Sequence, residues 1–114
     1  MNYASTKEIQ KCLNRIKKAV RSKQLRLSLN KPETYEHTKK ILGEITDEQV
    51  LSFINDITVN DYKSGPSNYI NTKTDKKIGH YWEFKKPIKG KYIYIKILFP
   101  LKRPSLVSVK SFHI

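Results

Sequence analysis

The 114-residue chain has one cysteine, Cys12, one tryptophan, Trp82, four glycines and only 10 Asp+Glu. A single cysteine excludes an intrachain disulfide and any cysteine-based zinc site. No apolar run approaches the roughly 20 residues that cross a bilayer, and Met1 opens no apolar signal region. A cytoplasmic protein with no membrane partner is therefore expected. G-x-G-x-x-G, P-loop and G-x-S-x-G patterns are all missing, which removes the usual fingerprints of dinucleotide, nucleoside-triphosphate and α/β-hydrolase chemistry. Beyond residue 62 the acids are Asp75 and Glu83, too few for a two-metal nuclease site. Any cleavage chemistry is thus expected to run on proton transfer and electrostatics, with no metal and no cofactor.

What the chain has in excess is positive charge. Its 23 Lys+Arg give a formal net charge of +13, which makes polyanions the default partner. Residues 1–30 carry +7, residues 31–62 carry −4 and residues 63–114 carry +10. The two ends are therefore expected to form the basic surface. Hydrophobic content of 38%, including Trp82, four Phe and seven Tyr, suffices for one small core. One domain over residues 1–114 follows.

Ser5 with Glu8 is a capping-box pattern, and Ile9, Cys12, Leu13, Ile16, Ala19 and Val20 recur behind it at helical spacing. An amphipathic helix from about Thr6 to Ser22 is predicted, with Cys12 a small buried hydrophobe on its apolar stripe. Leu25, Leu27 and Leu29 alternate as a short strand. Pro32 suits the first turn of a second helix lined by Tyr35, Thr38, Ile41 or Leu42, and Ile45. Thr46 with Gln49 caps a third helix. Residues 60–79 have almost no core candidates and read as a long loop, so the helical part is expected over 1–59. A three-stranded antiparallel meander is predicted over 80–114, with a turn across Lys86–Gly90 and a break at Arg103 and Pro104. The fold class is α+β: N-terminal helices packed on a small twisted antiparallel sheet.

The segment Lys91–Phe99 divides by parity. Ile93, Ile95, Ile97 and Phe99 point into the core, while Tyr92, Tyr94, Lys96 and Leu98 point the other way. Tyr94 and Lys96 thus share one face, where a phenol and an ammonium can donate to phosphate and a ring can stack a base. An exposed strand face also uses such residues for their strand propensity alone. Phe112 and His113 face opposite sides. If Phe112 is inward, His113 joins Tyr94 and Lys96, and imidazole is the side chain that ordinarily exchanges protons near neutral pH. His37 has no functional setting, and His80 opens a strand in an ambiguous one.

Asp61-Tyr62-Lys63-Ser64-Gly65-Pro66, the Trp82 strand, Tyr94-Ile95-Lys96 and Ser111-Phe112-His113 follow one another as in the MqsR-like toxins, which this chain resembles over roughly residues 46–114. Over 1–45 the likeness is in element order only. The resemblance implies a RelE-like fold of the microbial-ribonuclease kind and an endoribonuclease that cleaves messenger RNA. It also implies a cognate antitoxin protein as partner. The family's loop lysine falls on Lys63, its strand tyrosine on Tyr94 with Lys96 following, and its C-terminal basic residue on His113. The polar residue after the strand tryptophan, glutamine in the best-known member, is Glu83 here. A carboxylate there repels phosphates unless it is protonated or serves as a base. The implied reaction is attack by the RNA's own 2′-OH, leaving a 2′,3′-cyclic phosphate and a 5′-OH. Tyr62, Trp82, Tyr92, Arg26 and Lys110 are the accompanying candidates for RNA contact. The same charge and aromatics equally suit a non-catalytic RNA- or DNA-binding module.

Overall fold

The computed structural model describes residues 3–114; Met1 and Asn2, with which the expected domain and the signal-free start open, lie outside them. Helix α1 spans Thr6–Arg21 and begins at the predicted capping box, with the Ser5 hydroxyl accepting from the Glu8 N–H and the Glu8 carboxylate accepting from the Ser5 N–H. Its apolar stripe of Ile9, Cys12, Leu13, Ile16 and Ala19 is buried. Burial holds the Cys12 thiol far above its ordinary pKa, so it is no thiolate at neutral pH. Strand β1, Leu25–Leu27, follows. Helix α2, Pro32–Ile41, starts on proline as predicted. Helix α3, Asp47–Asn55, starts at the Thr46–Gln49 capping box. Tyr35, Thr38, Leu42 and Ile45 turn inward, whereas Ile41 remains exposed.

Four longer strands complete the fold: β2 Tyr62–Asn71, β3 Lys76–Ile88, β4 Lys91–Pro100 and β5 Val107–His113. Among the described residues they join β1 in one five-stranded sheet of order β1-β5-β4-β3-β2. The β1–β5 pair is parallel and the others are antiparallel, so the sheet is mixed and larger than the expected meander. The α+β class stands. The loop expected over 60–79 does not: it is the end of a 3-10 turn, Val59–Asp61, then β2, a turn at residues 72–75 and the start of β3. β2 is an edge strand with three register shifts against β3, so no apolar alternation marks it in the sequence. The β3–β4 turn is also tighter than expected, with Lys89 and Gly90 both at positive φ in a two-residue loop.

The helices cover one sheet face. Phe84, Ile93, Ile95, Ile97, Val107, Val109 and Phe112 there are fully buried. Each such side chain contributes roughly 1.5–3 kcal/mol relative to exposure. Tyr35 of α2 meets the Phe112 ring edge-on at 6.1 Å. The other face carries no helix and is left open. α1 lies on the covered side, and its lysines Lys7, Lys11 and Lys18 are exposed there. None of the described helices is long and apolar enough to cross a membrane.

Candidate functional site

The stretch Asp61–Pro66 is built to aim two polar side chains at the open face. Asp61 is buried and accepts from the Thr58 N–H at 2.8 Å, with the Lys86 ammonium 3.5 Å away. That pins the turn from which β2 departs. Tyr62 then packs inward against the rings of Trp82 and Phe84, and its hydroxyl donates to the Gly65 carbonyl at 2.6 Å. Gly65 has φ +118°, and a Cβ there would stand 2.9 Å from the Tyr81 carbonyl oxygen. Only glycine allows β2 to approach β3 so closely. Between these anchors Lys63 and Ser64 face outward.

Register supplies the rest. Glu83 of β3 stands opposite Ser64 of β2 and Lys96 of β4. Tyr94 of β4 stands opposite His113 of β5. A bulge decides the last of these. Lys96 pairs with Ser111 but Ile97 pairs with Val109, so Lys110 is an extra residue in β5. With strict alternation, Val107, Val109, Ser111 and His113 would share the covered face. The bulge resets the parity, turns Phe112 into the core and brings His113 out beside Tyr94.

The Glu83 carboxylate and the Tyr94 ring form the centre of the site. Glu83 accepts hydrogen bonds from the Tyr94 hydroxyl through Oε2 and from the Ser64 hydroxyl through Oε1, the latter at 2.7 Å. The Lys63 ammonium lies 5.1 Å from the centre of the Tyr94 ring. The His113 and Tyr94 ring centres are 5.3 Å apart. Lys96 is held between two other rings, 4.2 Å from Tyr81 and 5.2 Å from Tyr69. His113 Nδ1 lies 3.0 Å from the Ile114 carbonyl oxygen, which can only accept, so Nδ1 is the donor there.

Electrostatics follow from this packing. Partial burial pushes the Glu83 pKa up, but the hydrogen bonds from Tyr94 and Ser64 and the charges of Lys63 and Lys96 outweigh it, so the net shift is downward. Glu83 is therefore an ionised carboxylate at neutral pH, and two ammonium groups offset its repulsion of a phosphate. Burial and the hydrogen bond to Glu83 move Tyr94 the other way, far above its ordinary range, so it stays a neutral phenol.

The structure thus gathers Lys63, Glu83, Tyr94, Lys96 and His113 on the open face. It does not bring all the RNA-contact candidates there. Trp82 is 8% exposed and faces the helices, because it sits one residue from Glu83 in an alternating strand. It is a core residue rather than a stacking platform. Tyr62 likewise turns inward against it. Tyr92 is exposed on the open face with Lys85 above its ring at 5.3 Å. Arg26 pairs with Ser108 and so lies in the Leu98 row, one row away from Lys96. Lys110, the bulge residue, has its ammonium 3.5 Å from the Ser28 hydroxyl. His80 lies opposite Phe99 towards the helix side, with its pKa lowered by burial and by Lys77. Ser64 and Tyr69 join the site unforeseen through the register of β2, and Tyr81 joins it as the β3 residue two before Glu83 on the same face. No protein-family profile, curated protein or solved structure matches the chain.

Proposed function

We propose that the protein is an endoribonuclease toxin of the MqsR-like kind, with a RelE-like fold. On this reading it cuts messenger RNA by attack of the 2′-OH, inhibits translation and is neutralised by a protein antitoxin. The observation that carries the reading is the Glu83–Tyr94 hydrogen bond, set among Lys63, Lys96 and His113 on a sheet face that no helix covers.

Each group has a chemical task. A phosphate docks against the Lys63 and Lys96 ammonium groups, which offset the charge that builds on the non-bridging oxygens of the phosphorane. The Glu83 carboxylate takes the 2′-OH proton as that oxygen attacks phosphorus. The P–O5′ bond breaks, and His113, acting as the imidazolium with both ring nitrogens protonated, gives the Nε2 proton to the departing 5′-oxygen. Tyr94, kept neutral, orients the carboxylate and the phosphate with its hydroxyl. The scarcity of carboxylates in the C-terminal half favours a metal-independent route.

The rings on the open face favour a second reading. Tyr92 and the Tyr69–Tyr81 pair lie beside lysines on the same face, as in modules that bind single strands without cutting them. Incubating purified protein with end-labelled RNA in excess EDTA separates the two. The toxin reading expects discrete shorter products, whereas an intact strand that still comigrates with protein supports the binding module.

A further inference from the structure

The open face continues beyond Lys96 into a cleft that the cleavage chemistry does not use. Leu98 is the next outward position on β4, and strand rise puts it about 13 Å along the strand from Tyr94. A volume of about 470 Å³ opens there between the ends of β3 and β4, lined by Ile78, Leu98, Leu101, Lys77, Lys102 and Arg103 among others. Leu98 is buried at its floor, while Ile78 is 39% and Leu101 is 52% exposed. One exposed leucine is ordinary on any protein surface, but apolar walls enclosed by a ring of cations are not. No carboxylate is among the described lining residues. Arg26 stands in the Leu98 row across Ser108, and Lys96 with Tyr69 and Tyr81 connects this cleft to the Glu83 site.

We propose that this cleft is a subsite for single-stranded RNA, taking a nucleobase against Ile78 and Leu101 and the flanking phosphates on Lys77, Lys102 and Arg103. The inference rests on the RNA-cleaving reading and extends it: the strand runs along β4, anchored here and cut at Glu83. Charge complementarity selects the occupant. An apolar peptide would leave the cationic rim without partners, whereas a nucleotide satisfies wall and rim together.

Binding is measured with a short 2′-O-methyl RNA, which lacks the attacking hydroxyl and stays whole. Lys102→Ala/Arg103→Ala is compared with Lys7→Ala/Lys18→Ala, a control that removes the same charge from exposed positions on α1 across the sheet. The cleft variant is expected to bind at least tenfold more weakly than the control. Its slope of log affinity against log salt should fall by about 1.4, or 0.7 for each phosphate that no longer meets a cation. Leu101→Ser is expected to weaken binding roughly fivefold with the slope unchanged, since only apolar contact is removed. Equality of the double variant with its control, or of Leu101→Ser with the parent, overturns the subsite, as does a parent protein that binds no 2′-O-methyl RNA. Unmodified RNA that stays intact while both cleft variants lose affinity would sink the cleavage reading and leave the subsite standing.

Discussion

Replacing His113 by alanine is expected to slow RNA cleavage by about 10²–10⁴-fold, the usual worth of one positioned proton-transfer group. Little else should change. The His113 side chain is only half-buried, touches Tyr94 and bonds the neighbouring backbone carbonyl. The residue that anchors β5 is Phe112, fully buried against Tyr35. The variant should therefore keep the parent's melting temperature and its affinity for 2′-O-methyl RNA. Cleavage within tenfold of the parent would remove His113 from the chemistry and move the acid to another group on this face. A parallel loss of affinity would instead make it a phosphate-binding residue.

Glu83→Gln separates a base from a buttress. Glutamine keeps a carbonyl oxygen that can accept from Tyr94 and Ser64, so the hydrogen-bonded geometry survives while the proton acceptor is lost. If Glu83 takes the 2′-OH proton, cleavage is expected to fall by about 10²–10⁴-fold. On the acid side the parent's kcat/KM should fall only below the carboxyl's ordinary 4.5, because its partners depress its pKa. The variant should lack that acid limb. The same depression ties stability to pH. The folded carboxyl titrates below its unfolded value, so its contribution is present above about pH 4.5 and is lost as pH falls through the folded value. A Glu83→Gln protein that cleaves within tenfold of the parent, with the acid limb intact, would leave Glu83 holding Tyr94 in place and nothing more.

Most of the helical half and the heart of the site follow from the sequence by simple rules. Both capping boxes mark their helices, and the parity of Lys91–Phe99 sorts its isoleucines from Tyr94 and Lys96 as observed. These signals are local, and each element buries a continuous apolar stripe. β2 carries no such stripe. Its polar residues, edge position and register shifts hide a strand that holds Lys63, Ser64 and Tyr69 in place. Trp82 shows the converse. Its side of β3 is fixed by which face the helices cover, and that depends on packing between segments distant in sequence. His113 falls between the two cases. Its opposition to Phe112 is readable, but a bulge at Lys110, invisible to alternation, decides which of the pair enters the core. The cleft at Leu101 requires the start of β3 to lie beside the end of β4, which no local pattern encodes.

Glu83 also shows how context settles a residue's chemistry. Taken alone, a carboxylate in a bed of lysines looks unfavourable for binding phosphate. Within the sheet it has two hydroxyl donors and two ammonium neighbours, so the surroundings remain positive while a proton acceptor is kept in reach.

The most direct test is the chemistry of the cut ends. RNA treated with the purified protein in EDTA should yield fragments ending in a 2′,3′-cyclic phosphate, with a 5′-OH on the downstream piece. A substrate carrying a single 2′-deoxynucleotide at the cut position should resist cleavage there. Fragments with 3′-OH and 5′-phosphate ends, or equal cutting of the deoxy-substituted strand, would contradict attack by the RNA's own hydroxyl at the Glu83–Tyr94–His113 face.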